Sequence, residues 1–178
     1  MDDLGDEMLA QERWAQAEAY YARGLAIREQ ALGKDNVRTA YALEMMARLR
    51  LAERRFADAL PMARRILEIR ERGLPPGSQA IGDALILIAQ ADAGLARAGD
   101  GLAAAERGVA ILAASQEVSP VDLGDAWLAL ARLARQAGRP ARAEQAAGNA
   151  RGAYERVELD TKRTKKLREL AAWAATRR

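Results

Sequence analysis

The sequence predicts an all-α fold: a right-handed solenoid of four antiparallel helix pairs followed by a C-terminal helix. Alanine supplies 42 of the 178 residues, while Val and Ile are sparse and Phe occurs once, a make-up suited to closely packed helices rather than sheets. Turn signals fall at regular intervals, at Gly33-Lys34-Asp35-Asn36, Pro75-Pro76-Gly77-Ser78, Ser119-Pro120 and Leu159-Asp160-Thr161, between long Ala/Leu/Arg/Glu stretches with helical apolar spacing. Each stretch is divided again by a short polar or glycine-containing turn, near residues 11–13, 53–55, 98–101 and 137–140. The units are therefore helix-turn-helix pairs.

Taken in order, the expected units are 1–33 (its first helix truncated), 36–74, 78–117 and 119–158, then a terminal helix over 160–176. Ser119 before Pro120, with Asp122 three residues on, reads as a strong helix start: a hydroxyl cap, a proline in the first turn and an acid at the positive dipole end. Ser78 is expected to cap in the same way after the Pro-Pro-Gly break. The terminal helix has two readings, a solvating cap of the kind a solenoid end requires or the first helix of a fifth pair in a longer array. The charged stretch 162–169 favours the cap, and Trp173 speaks against it, because a cap seldom leaves an indole uncovered.

An internal repeat supports the pairing. An apolar residue, a second three positions later and a small residue directly after it recur as Met1/Leu4/Gly5, Leu43/Met46/Ala47, Trp127/Leu130/Ala131 and Leu167/Leu170/Ala171. The third copy reads Ile88/Ala91/Asp92, where an acid replaces the small residue. Thirteen residues after the middle member stands an alanine, Ala17, Ala59, Ala104 and Ala143, and the steps between copies are 42, 45, 39 and 40. Two antiparallel helices that cross closely admit nothing larger than a methyl between their backbones. Gly5 with Ala17, Ala47 with Ala59 and Ala131 with Ala143 are the expected crossings. Asp92 has three readings: it snorkels to an arginine, it marks an opened third copy, or that copy is misaligned.

Trp127-x-x-Leu130-Ala131 with Gly138 and Ala143, and the turn Arg55-Phe56-Ala57-Asp58-Ala59, resemble tetratricopeptide repeats. The steps near forty and the long stretch from Ala17 to Gly33 resemble the long-helix variety found in kinesin light chains and many bacterial signalling proteins. The resemblance implies a stacked helical array that binds another polypeptide on the concave surface formed by the first helix of each pair. Where that variety commonly places inner-face asparagines, this chain has Glu44 and Met45, Ala89 and Gln90, Leu128 and Ala129.

The register turns Asp2, Asp3 and Asp6 inward from the first copy, Tyr41, Glu44, Met45 and Arg48 from the second, Gln90 and Arg97 from the third, and Asp125, Leu128, Arg132 and Arg135 from the fourth. Arg132 and Arg135, three apart on one helix, are the sharpest binding candidates, since two guanidinium forks can grip a carboxylate; the plainer reading is two solvated arginines. Glu44 and Arg48, four apart, read most simply as an intrahelical ion pair.

Other chemistry is narrowly bounded. With neither Cys nor His in the chain, disulfides, thiolate or imidazole metal sites and Ser-His or Cys-His nucleophiles are excluded. Acid pairs such as Glu68/Glu71 lack an apolar pocket, so no enzyme and no cofactor is expected. No apolar run reaches membrane-spanning length, and the chain reads as cytoplasmic. Residues 160–178 carry seven bases against two acids, a run that could attract nucleic acid; the lack of adjacent stacking aromatics and of a phosphate loop speaks against it. A mostly alanine opposite face speaks against a membrane surface. The expected partner is a protein or peptide, with self-association through the repeat ends as the alternative.

Overall fold

A computed structural model describes residues 13–157 and 161–176. Among them are eight helices and no strand: α1 (Trp14–Leu32), α2 (Val37–Ala52), α3 (Phe56–Gly73), α4 (Gln79–Gly94), α5 (Ala98–Ala114), α6 (Pro120–Gln136), α7 (Pro140–Glu155) and α8 (Thr161–Ala175). Each packs on its neighbours in sequence, and the first helices α2, α4 and α6 also touch one another. The second helices α1, α3, α5 and α7 are bridged instead by long side chains, Arg65–Glu29 at 3.2 Å, Arg107–Glu71 at 2.6 Å and Arg142–Glu106 at 3.7 Å. Close first helices and splayed second helices bend the stack, which puts α2, α4 and α6 on its inner face.

Local chemistry sets the helix ends. Ser119 Oγ accepts from Asp122 N at 3.1 Å, with Pro120 in the first turn, and Asn36 caps α2 by accepting from Arg38 N at 2.8 Å. Ser78 stands at the start of α4, but its side chain makes no capping bond. The turn inside each pair recurs in full. Arg54, Ala96 and Gly138 have positive φ, 60°, 57° and 68°, and the next amide reaches back five residues, Arg55 N to Arg50 O, Arg97 N to Asp92 O and Arg139 N to Ala134 O. This is the left-handed close of a helix that glycine accommodates without strain.

These turns correct the third copy. The positive-φ residues stand 42 apart, and counting seven back and five forward from each gives Ala47/Ala59, Ala89/Gly101 and Ala131/Ala143. The third copy is therefore Leu85/Ile88/Ala89 with Gly101, three residues away from Ile88/Ala91/Asp92 and Ala104, and the step is 42 from Ala17 through Ala143. All four alanines in the second and fourth crossings, and Ala89, are essentially inaccessible. A methyl added at Gly101 would come within 2.7 Å of Asp92 Cβ and 2.9 Å of Leu133. Ala17 is buried too; its expected partner Gly5 lies outside the described residues.

The core is a series of seams between helices. Leu43, Leu60, Ile66, Ile69 and Leu87 fill one, and Leu102, Val109, Leu112, Leu130 and Leu133 the next. Gly124 lets the fully buried Tyr154 ring of α7 lie on α6, where an added Cβ would be 2.3 Å from the ring.

Asp92 holds the position that is Arg50 one repeat earlier and Ala134 one repeat later. Arg50 is buried but paired, with Glu53 at 2.8 Å and with Glu18 of α1. Asp92 is fully buried and neither oxygen has a hydrogen-bond partner among the described residues. Burial, only partly opposed by Arg64 and Arg97, pushes its carboxyl above the usual range.

Asp92→Ala, which installs the residue of the next repeat, should stabilise the chain at pH 7 by about 1–3 kcal/mol in denaturant titration. A native pKa above the unfolded one makes the parent lose stability as pH rises through that interval, and the variant should lack this loss. Ala96→Gly, at an exposed left-handed position, should add about 0.5–1 kcal/mol in the same measurement.

Candidate inner-face binding site

Successive first helices place equivalent residues side by side across the inner face: Tyr41, Asp83 and Asp125; Arg48, Gln90 and Arg132; Leu51, Ala93 and Arg135. Two recesses lie on this surface. A narrow cleft of about 30 Å³ is lined by Arg48, Asp83, Ile86, Leu87, Gln90, Leu112, Asp122 and Asp125. A wider trough of about 520 Å³ runs from Leu51 and Ala52 of α2, past Gln90 of α4 and Asp125, Leu128, Ala129 and Arg132 of α6, to Lys165, Lys166 and Glu169 of α8.

The expected inner-face residues divide into three groups. Tyr41, Arg48, Gln90, Asp125 and Arg132 are at least partly open, and Leu128, nearly buried, forms trough floor. Glu44 and Met45 are withdrawn: Met45 packs with Ala17, Tyr21 and Leu49 in the seam, and Glu44 is a buried ion. Arg97 stands in the turn before α5, exposed, and not on the inner helix α4. Asp2, Asp3 and Asp6 lie outside the described residues.

Glu44 anchors a structural ion network. Arg48 Nε donates to it at 2.8 Å, the expected i,i+4 pair, and Arg70 of α3 donates to its other oxygen. Arg70 Nη1 also reaches Ala80 O at 2.7 Å, so one guanidinium ties α2, α3 and α4 together. Burial opposes the charge on Glu44, but Arg48 and Arg70 outweigh it and hold its carboxyl below the usual range.

Arg132 and Arg135 do not act together. Arg135 lies 3.5 Å over the Trp173 ring and donates to Trp173 O at 2.8 Å, a stacked and hydrogen-bonded arrangement that occupies its planar face. Arg132 is exposed and makes no ion pair among the described residues. Its companion is Lys165 of α8, also exposed and unpaired, on the opposite wall of the trough. Lys166 bridges Asp125 at 2.8 Å and Glu169 at 3.7 Å, and Tyr154 OH donates to Asp125 at 2.7 Å, which locks α6, α7 and α8 at the trough's end. Two residues of the basic run, Lys165 and Lys166, thus line the trough.

Asp83 escaped the sequence reading because the third copy was out of register; with steps of 42 it falls in line with Tyr41 and Asp125. It has no hydrogen bond or ion pair among the described residues, and its carboxyl is pushed up to about 6. Burial is the largest cause; Glu44 and Asp122 add to it, against Arg48 and Arg70. The remaining walls, Lys165, Lys166 and Glu169, could have been found by treating α8 as another first helix.

Because Asp83 titrates higher in the folded chain than in the unfolded one, its penalty is absent below about pH 4, grows towards pH 6 and is complete above it. Asp83→Asn should therefore melt with the parent at pH 4 and above it at pH 7, read by calorimetry at both pH values.

Comparison with curated proteins finds no match. Residues 3–72 match the family model described as tetratricopeptide repeat, a family whose members generally mediate protein–protein interaction. No described helix is long and apolar enough to cross a membrane. The matched segment contains α1, α2 and nearly all of α3, so a tetratricopeptide repeat is shown over residues 3–72, and the turn and crossing of α2–α3 recur in α4–α5 and α6–α7.

Proposed function

We propose that this chain is a non-catalytic interaction module whose inner trough docks a segment, extended or helical, of a partner protein. One observation carries this reading: two exposed cations, Arg132 and Lys165, that have no ion pair among the described residues line a mostly polar trough with a small apolar patch at Leu51, Leu128 and Ala129. Apolar area supplies attraction without direction, while unpaired cations at the rim select an acidic side chain and orient it. At the trough's end Tyr154, Asp125 and Lys166 already pair with one another, so binding needs no rearrangement of them.

Assignment to the long-helix variety belongs to this reading and rests on the 42-residue spacing. A bacterial source rests on the Arg-over-Lys bias, 24 to 4, and a cytoplasmic setting is part of the same proposal.

Affinity capture from native extract with the whole chain as bait tests the proposal. Replacing Arg132 and Lys165 together by alanine should weaken capture of the partner about tenfold, ~1.4 kcal/mol, with helicity unchanged. Arg107→Ala, on the opposite face, should leave capture intact. Equal capture by the trough variant and the parent overturns the reading.

A further inference from the structure

We propose that the α4–α5 joint is a proton-controlled hinge: Asp92 keeps the crossing shut while its carboxyl holds a proton and releases it when ionised. This goes beyond the trough reading and does not depend on it.

Three joints of the array share one construction and differ at one buried residue. In each, the amide after the left-handed residue reaches back five positions, Arg55 N to Arg50 O at 2.8 Å, Arg97 N to Asp92 O at 2.9 Å and Arg139 N to Ala134 O at 2.8 Å. The residue that accepts this bond is a paired arginine in the first joint and an alanine in the third. In the second it is an acid that is 0% exposed, with neither carboxyl oxygen hydrogen-bonded among the described residues. The crossing is tight around it: a methyl added at Gly101 would lie 2.7 Å from Asp92 Cβ and 2.9 Å from Leu133.

The charges that face Asp92 stay out of hydrogen-bonding reach. Arg64 comes from α3, Arg97 from the turn and Asp100 from α5, all exposed, while α6 presents Leu133, which carries no charge. In the shut crossing an ionised Asp92 has lost its water and gained no partner; protonated, it is neutral and costs less to bury. An opened crossing admits water and lets the carboxylate approach Arg64 or Arg97. Burial accordingly raises the carboxyl above its usual range, Asp100 adds to the rise, and the two arginines only partly oppose it. With the shut form binding the proton more tightly than the open form, closure is favoured at low pH and lost as pH rises through the raised value.

Two features confine the opening to this joint. Ala96 holds a left-handed φ of 57° without being glycine, which weakens the turn at every pH. A stack whose contacts run between neighbours can yield at one joint while the others stay closed. Since α5 backs α4, the helix that carries Gln90 into the trough, release of the joint loosens the support of that wall.

Amide hydrogen exchange of the full 178-residue chain, followed by NMR from about pH 4.5 to about pH 7 and corrected for the intrinsic rates, tests this. At the upper pH the Arg97 amide should open about tenfold more often than those of Arg55 and Arg139. On acidification its opening constant should fall by up to about tenfold per pH unit, the limit for one proton, while the other two change much less. Asp92→Asn, which keeps the shape without the charge, should abolish the pH dependence, and Asp92→Ala should bring Arg97 close to Arg139. Asp83→Asn, at the far end of α4, should leave the dependence in place. Equal opening at the three joints, an Arg97 opening indifferent to pH, all three joints opening together, or a pH dependence that survives in Asp92→Asn overturns the proposal.

Discussion

The close approach of paired helices at methyl-sized or smaller residues governs the rest of the structure. At Ala47 and Ala59, Ala89 and Gly101, and Ala131 and Ala143, one helix lies on the next so tightly that no larger group fits. The left-handed residue at Arg54, Ala96 or Gly138 then reverses the chain at a fixed distance from each crossing. With the pair geometry and the turn both repeating every 42 residues, first helices stack on first helices. The inner face follows without any further device, and side chains one repeat apart become neighbours on it.

Position on this frame decides what a charge does. Arg50, Asp92 and Ala134 occupy one site in three repeats. Arg50 is long enough to reach Glu18 and Glu53; Asp92 is too short to reach an arginine from the same place and keeps its buried oxygens unmatched. Glu44 is buried as well, yet it is one of the best satisfied groups in the chain because Arg48 and Arg70 converge on it from two helices. Burial alone therefore does not separate stabilising from destabilising ions; the reach of the partner side chain does.

The fold was legible because its two signals are local: small residues at crossings and breaks at turns. The third copy was misread by three residues for a physical reason. Its crossing uses Gly101, so the alanine column that marked the other copies pointed to Ala104, and Ala96 supplied the left-handed turn without the glycine that would have announced it. The site was legible in part. Helical projection assigns a face but not the length of a side chain or the pull of a neighbour. It could not foresee that Glu44 would be drawn inward by an arginine from α3, that Arg135 would lie on an indole 38 residues away, or that Lys165 would face Arg132.

Because every large contact is between helices adjacent in sequence or one repeat apart, the array has low contact order and bends like a spring, each joint yielding independently. The trough is an exception to this locality, since its walls come from α2, α4, α6 and α8 together. On the proposed docking there, a partner segment would fasten joints that the backbone leaves uncoupled, so occupancy would stiffen the curve from α2 to α8 and couple those helices through the ligand instead of through the chain.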